Sequence, residues 1–181
     1  MNSLSLRLLT ANDASEVSRI LRAAPEDYVR FFHPFDFGET TIRRQLESVS
    51  KDVYFGLESA SADDATRDLA AFYMLRGLDA GYPSPMYGVF VAFSYRGMGM
   101  CKLTLAHADV YCRLNRFERI LLKVHPDNVR AKKLYESCGF TFLRDNPASS
   151  EVVLCKRLTG GIDKEGPSKP DRERVPQRFN Q

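Results

Sequence analysis

The residues with the clearest chemical potential are an arginine and two glycines between positions 96 and 99. Arg96, Gly97 and Gly99 follow an apolar, aromatic and β-branched run at residues 86–93, which predicts a buried strand. The next residues, up to Asn115, lack glycine and proline. Apolar side chains recur there with a helical period: Leu103, Ala106, Val110 and Leu114. The first N–H groups of a helix lack internal partners and carry partial positive charge, and glycines let a phosphate approach them. The pattern therefore indicates an anion site.

A plain turn is the alternative interpretation of the same residues, because glycine-rich connections between strand and helix are common. The stretch lacks the Gly-Lys-Ser/Thr ending of a nucleotide P-loop, and it lacks the G-x-G-x-x-G of a dinucleotide fold. On this stretch alone the turn and the phosphate site both stay open, and a second motif must decide between them.

That second motif runs from Asn128 to Phe140 and fits N-x-x-A-x-x-x-Y-x-x-x-G-F at every defined position. Together with V-x-x-x-x-R-G-x-G, here Val91 to Gly99, it closely resembles the GNAT superfamily of acyl-coenzyme-A-dependent N-acetyltransferases. The resemblance covers residues 4–157, because the predicted order β-α-α-β-β-β-α-β-α-β-β matches throughout.

The resemblance implies an α/β (α+β) fold with a mixed, mostly antiparallel sheet of six to seven strands and about four flanking helices. It also implies a splay between the fourth and fifth strands, predicted at 86–93 and 119–124. We expect this domain to span residues 1–158. Residues 159–181 are polar and rich in glycine and proline, so they are predicted to form a disordered tail.

The same resemblance implies how acetyl-CoA is bound. Its pyrophosphate would contact the side chain of Arg96 and the backbone amides of Gly97, Met98, Gly99, Met100 and Cys101. The pantetheine arm would pair with Phe90, Val91 and Ala92 like an added strand. An N–H of that strand, placed at Phe90, would stabilise the oxyanion. Cys101 departs from the family pattern, which has a smaller residue there.

Two further roles come from the second motif. Asn128 would bond to the pantetheine, and Tyr135 would act as general acid to the leaving thiolate. Structural interpretations stay open for both, since Asn128 suits a helix N-cap and Tyr135 suits packing beneath the sheet. His125, just after the strand 119–124, is a candidate base or a turn residue beside Pro126.

The acceptor side is predicted from two aromatic-rich segments, residues 27–37 and 77–87. The residues expected to bind the acceptor are His33, Phe35, Asp36, Asp79, Tyr82 and Tyr87. The candidate general bases are His33, Asp36, Glu58, Asp79 and Tyr87. Some of the aromatics fit an ordinary core equally well. Because prolines interrupt these segments, an enclosed pocket for a small-molecule amine such as an amino sugar is favoured.

The sequence therefore predicts an enzyme that moves an acetyl group from acetyl-CoA to a primary amine. Attack would be direct in a ternary complex, because the chain shows no activated nucleophile for an acyl-enzyme. Two alternatives stay open: a non-catalytic module that senses acyl-CoA, and acetylation of a protein N-terminus or lysine.

Bulk composition narrows the partners. The 181 residues suit one domain, and a net charge of +3 with interspersed acids does not favour nucleic acid. Four cysteines stand far apart without a C-x-x-C pair, so neither zinc nor a disulfide framework is expected. No run of 18 apolar residues predicts a membrane span, and no basic and apolar leader opens the chain. We expect a cytoplasmic monomer or homodimer.

Overall fold

The computed structural model describes residues 3–60 and 67–158. The predicted tail at 159–181 and residues 61–66 lie outside this range. Within it the chain forms seven strands: β1 (Ser3–Leu8), β2 (Val53–Ala60), β3 (Arg67–Arg76), β4 (Met86–Val91), β5 (Arg119–Val124), β6 (Thr141–Asp145) and β7 (Val152–Arg157). It also forms five α-helices: α1 (Ala14–Arg22), α2 (Glu26–Val29), α3 (Glu39–Glu47), α4 (Met100–Leu114) and α5 (Val129–Ser137).

The seven strands form one sheet in the order β1-β2-β3-β4-β5-β7-β6. Every neighbouring pair is antiparallel except β4 and β5, which run parallel. The mixed, mostly antiparallel sheet agrees with the predicted fold class. Four of the helices have nine residues or more, and the short helix α2 was not predicted.

Apolar cores cover both faces of the sheet. On one face, α1 and α3 pack against inward side chains of β3 and β4: Val17, Ile20, Ile42, Leu46, Phe72 and Phe90. On the other face, α4 packs against β5 and the end of the α5 motif: Leu105, Ala108, Cys112, Leu122 and Phe140. Because alternate residues of β4 contribute to opposite cores, this strand is fixed on both sides.

The inward face of α4 differs from the one that the helical period suggested. Leu103, Val110 and Leu114 are 41%, 53% and 77% exposed. The residues that meet the sheet are Met100, Thr104, Leu105, Ala108 and Cys112. Apolar residues occur on two sides of this helix, so periodicity identified the helix but the sheet decided which side is buried.

No helix in the described part of the chain is both long enough and apolar enough to cross a membrane. Among the same residues, no group of three or more His, Cys, Asp or Glu side chains is arranged to hold a metal ion.

Candidate active site

The central feature is a gap between β4 and β5. Their registered pairs are Met86 with Leu121 and Tyr87 with Leu122. From there β4 continues to Val91 and β5 to Val124, and no further pair joins the two strands. The parallel strands therefore diverge towards their C-terminal ends, which is the splay that the sequence predicted.

The pairing of β4 with β3 decides which backbone groups face this gap. Phe90 lies opposite Phe72, and the Ala92 N–H donates to the Ala70 carbonyl at 2.9 Å. Since backbone groups alternate in direction along a strand, those of Phe90 and Ala92 point at β3. The groups that face the gap belong to Val89 and Val91.

This register corrects the backbone roles predicted for Phe90 and Ala92. The Phe90 N–H is directed away from the gap, and the Phe90 ring is 3% exposed in the core. Val91 was among the predicted coenzyme contacts, whereas Val89 was missed. Alternation along the strand was the signal for Val89, but the sequence did not say which of the two alternating sets faces β3.

The glycine turn lies where the predicted anion site requires it. Gly97 and Gly99 have φ angles of +82° and +84°, and the space where a Cβ would stand is open at both. Gly99 precedes α4, whose first backbone bond is the Leu103 N–H to the Gly99 carbonyl at 3.1 Å. The N–H groups of Met100 and Cys101 therefore begin the helix without an intrahelical acceptor and suit a phosphate.

Two side chains complete this turn. The Arg96 guanidinium lies 3.9 Å from the centre of the Phe93 ring and donates to the Phe93 carbonyl at 2.9 Å. Met98 is 64% exposed at the outer edge of the turn. The thiol of Cys101 is partly buried, and this burial raises its pKa to about 11. A neutral thiol is a poor nucleophile, in line with direct attack by the amine.

The second motif forms α5 beside the gap. The Asn128 side chain accepts the Ala131 N–H at 3.2 Å, so it caps the helix through its oxygen and keeps its NH₂ group for a ligand. The Tyr135 ring packs against Phe140 with 6.0 Å between ring centres. Burial raises the Tyr135 pKa above its ordinary value, and the nearby Cys101 and Cys138 raise it further. Tyr135 thus stays protonated, as a proton donor must.

The predicted acceptor residues of the 27–37 segment serve local structure. His33 Nε2 lies 3.0 Å from the Arg30 carbonyl. Phe35 lines a core void of only about 10 Å³ beside Ile42 and Phe72. The Asp36 carboxylate accepts the Gly38 N–H at 2.8 Å, just before α3. These contacts show His33 and Asp36 in local hydrogen bonds and Phe35 in core packing.

The second predicted acceptor segment lies at the wrong end of the sheet. It precedes β4, whereas the gap opens after Tyr87. Tyr82 lines a shallow depression with Tyr111 and Asn115, at the C-terminal end of α4. A helix of 15 residues is about 22 Å long, so this depression is remote from the glycine turn. Asp79 and Tyr82 are therefore not brought to the gap.

The remaining candidate bases are already engaged. Tyr87 is 2% exposed, and its hydroxyl lies 3.0 Å from the Thr104 hydroxyl in the core. The Glu58 carboxylate accepts from Arg7 at 2.7 Å and pairs with Arg67 at 3.4 Å. Neither group presents a free base to an amine at the gap.

The structure brings an unpredicted pair to the open end of the gap. The Phe31 ring, just after α2, stacks on His125 at 4.9 Å with an interplanar angle of 22°. His125 Nδ1 accepts the Asp127 N–H at 3.2 Å, so the neutral ring carries its proton on Nε2. In this tautomer His125 offers a donor and not a base to the gap. No sequence signal links Phe31 to a residue 94 positions away.

Asp79 supplies a test of these placements, because its carboxylate accepts the N–H groups of Ser50 and Lys51 at 3.0 and 2.7 Å. These backbone bonds hold the Asp79 pKa below its ordinary value. Asp79→Ala should lower the melting temperature at pH 7 and leave kcat unchanged. A depressed pKa stabilises the fold above the unfolded value of about 4, so the difference should shrink as pH falls below it.

Thermal melts at pH 7 and pH 3, with steady-state kinetics at pH 7, measure both effects. Glu47→Ala, which removes an exposed carboxylate from α3, is the control. A large fall in kcat for Asp79→Ala would return this residue to the active site.

A gap between parallel strands, next to a glycine turn at a helix N-terminus, is the arrangement that the resemblance implied for an acyltransferase that uses a coenzyme A thioester. The model of the acetyltransferase (GNAT) family matches residues 20–140 of the chain, which include the gap, the turn and the whole motif from Asn128 to Phe140. The chain belongs to the GNAT family of acetyltransferases. The predicted family, fold class and enzyme class are confirmed.

Known proteins of this kind act on different amines. N-alpha-acetyltransferase 40 of Saccharomyces cerevisiae is 35% identical over 83 residues, 42% of this chain but only 29% of that protein. The chain thus matches less than a third of that relative's length.

Two solved structures share the fold at low sequence identity. PaiA N-acetyltransferase from Thermoplasma acidophilum, in complex with coenzyme A, has a TM-score of 0.67 and 15% identity over 86% of this chain and 99% of its own. A spermidine N-acetyltransferase from Vibrio cholerae has a TM-score of 0.64 and 19% identity over 86% and 94%.

Proposed function

We propose that this acetyltransferase transfers the acetyl group of acetyl-CoA to the N-terminal α-amino group of a polypeptide. The observation that carries this proposal is that hydrogen bonds or ion pairs within the protein already hold the candidate bases His33, Asp36, Glu58, Asp79 and Tyr87. The Nδ1 atom of His125, at the gap, likewise accepts the Asp127 N–H. An α-amine has a pKa of about 8, so a large fraction is neutral near pH 7.5. A lysine or polyamine nitrogen has a pKa of about 10.4, so it is almost fully protonated at this pH and needs a base to remove its proton.

The shape of the site supports the same acceptor. The preference for a small amine depended on an enclosed aromatic pocket, and Phe35 and Tyr82 do not form one at the gap. An open approach suits the end of a chain. The yeast relative is named an N-alpha-acetyltransferase, a name that denotes acetylation of an α-amine. It matches this chain only in part.

Named residues of this chain account for coenzyme binding, for polarisation of the thioester carbonyl and for protonation of the leaving group. The glycine turn and the start of α4 hold the diphosphate, and the gap-facing backbone of Val89 and the N–H of Val91 pair with the pantetheine. One of their N–H groups polarises the thioester carbonyl, and the amine attacks that carbon directly. The nitrogen then loses one proton to water, the C–S bond breaks, and the Tyr135 hydroxyl protonates the leaving thiolate. Water returns a proton to Tyr135 and closes the cycle. Asn128 keeps the arm in place through its NH₂ group.

A peptide panel tests the acceptor. We expect a peptide with a free N-terminus to turn over with kcat/KM about a hundredfold above the same peptide with a blocked N-terminus and one lysine. Release of free thiol from acetyl-CoA measures the rate. The rate should rise with pH to a plateau near about 8, the pKa of the α-amine.

Spermidine is the comparison acceptor, because a structural neighbour is a spermidine N-acetyltransferase. Faster turnover of spermidine than of any free N-terminus would establish the small-molecule alternative. Coenzyme binding without thiol release for any amine would establish a sensor.

The four cysteines are free thiols, which suit a reducing compartment, so we propose that this activity is cytoplasmic.

A further inference from the structure

Tyr28, from the unpredicted helix α2, makes a contact that the reaction outlined above does not use. Its hydroxyl donates to the carbonyl of Val91 at 3.0 Å. This carbonyl faces the gap, on the side of β4 that β5 has left. The tyrosine hydroxyl thus occupies the hydrogen-bonding place of the missing strand.

The contact fixes one particular peptide group. The carbonyl of the Val91–Ala92 peptide is held by Tyr28, and its N–H is held by the Ala70 carbonyl at 2.9 Å. Beyond Ala92 the chain leaves the strand and enters a 3-10 turn, Phe93–Tyr95, closed by the Tyr95 N–H to the Ala92 carbonyl at 2.8 Å. The orientation of this peptide therefore sets the direction from the gap to the glycine turn.

Ring contacts continue the same connection. The Tyr28 ring meets Phe90 and Phe93 edge-on, at 5.8 and 5.3 Å between ring centres. Phe93 in turn carries the Arg96 guanidinium on its face at 3.9 Å. One side chain thus contacts the gap directly and reaches the anion-binding turn through a single intermediate ring.

We propose that Tyr28 is a positioning residue that aligns the two halves of the coenzyme site, the gap for the pantetheine and the turn for the diphosphate. A ligand that spans both halves needs this alignment, whereas a ligand that occupies the turn alone does not. The inference rests on the coenzyme site of the proposed function and not on its acceptor. The role of Tyr28 therefore stands even if the acceptor is not a polypeptide N-terminus. The acceptor proposal likewise stands even if Tyr28 is not a positioning residue.

The test compares a spanning ligand with a fragment. For Tyr28→Phe, which keeps the ring, we expect the Kd of coenzyme A to rise about tenfold, the loss of one hydrogen bond. The Kd of adenosine 3′-phosphate 5′-diphosphate, which lacks the pantetheine, should stay within about twofold. Titration calorimetry measures both ligands, and the KM of the acceptor should not change.

Two further variants make the result decisive. Tyr111→Phe removes a hydroxyl near the far end of α4 and should bind both ligands as the wild type does. Phe93→Leu keeps the Tyr28 hydroxyl but removes the ring that carries the Arg96 guanidinium, so it should weaken both ligands, whereas Tyr28→Phe should weaken coenzyme A alone. Equal weakening of both ligands by Tyr28→Phe, or a rise in acceptor KM alone, would overturn the proposal. So would unchanged binding of coenzyme A.

Discussion

Replacing Gly99 by alanine should weaken coenzyme A binding by about a hundredfold. Gly99 has a φ of +84°, where an L-residue is strained by roughly 1–2 kcal/mol, and this strain lowers the stability of the fold whether or not coenzyme A is bound. The new methyl group would also stand in the open space on the outer side of the turn. That is where a diphosphate must approach the N–H groups at the start of α4, so the ligand is displaced from them.

Gly81 offers a matched control for this variant. It has a φ of +82°, and a Cβ there also meets open space, but it lies in the turn between β3 and β4 at the other end of the sheet. Gly81→Ala and Gly99→Ala should therefore lower the melting temperature to a similar extent. Calorimetric titration with coenzyme A should separate them. Equal affinity in the two variants would remove the turn from the coenzyme site.

Tyr135→Phe should lower kcat by about a hundredfold, because a positioned proton donor contributes at least this much to a transfer. The coenzyme should bind within about twofold of the wild type, since the hydroxyl acts on the leaving thiolate and the ring remains. Stopped-flow measurement of thiol release separates the chemical step from binding. Tyr111→Phe, the same change at the far end of α4, should behave as the wild type.

The pH dependence adds a second readout for Tyr135. Burial raises its pKa above the ordinary value of about 10, so the hydroxyl stays protonated throughout the range in which the enzyme can be assayed. The wild-type rate should therefore show no alkaline fall below pH 9. A fall there that disappears in Tyr135→Phe would show that this hydroxyl ionises and does not serve as the proton donor. Unchanged kcat in the variant would remove it from the reaction.

Features that depend on residues close together in the chain were predictable from sequence. The turn at Gly97 and Gly99, the cap at Asn128 and the strand from 119 to 124 each follow from a few neighbouring residues. Local steric and hydrogen-bonding rules decide these, so the surrounding fold changes them little. The strands predicted at 86–93 and 119–124, and the helix predicted up to Asn115, accordingly lie close to the observed β4, β5 and α4.

Other features needed the register and the order of the strands. Alternation in β4 was visible, but only pairing with β3 shows that Val89 and Val91, and not Phe90, face the gap. Asp79 and Tyr82 are near β4 in sequence, yet they precede its N-terminal end while the gap opens at the other. Sequence proximity to a strand does not say which of its ends is near.

The sequence by itself determined the glycine turn, the α5 motif and the class of enzyme, because short motifs encode their own backbone geometry. The tertiary structure decided which hydrogen bonds and ion pairs the candidate bases make. It also decided which residues that are distant in sequence come into contact. Phe31 reaches His125, and Tyr28 reaches Val91 across 63 positions, only because the divergence of β4 from β5 leaves a space that α2 and its following residues cover. Contacts across such separations depend on the packing of whole elements, which no local pattern specifies.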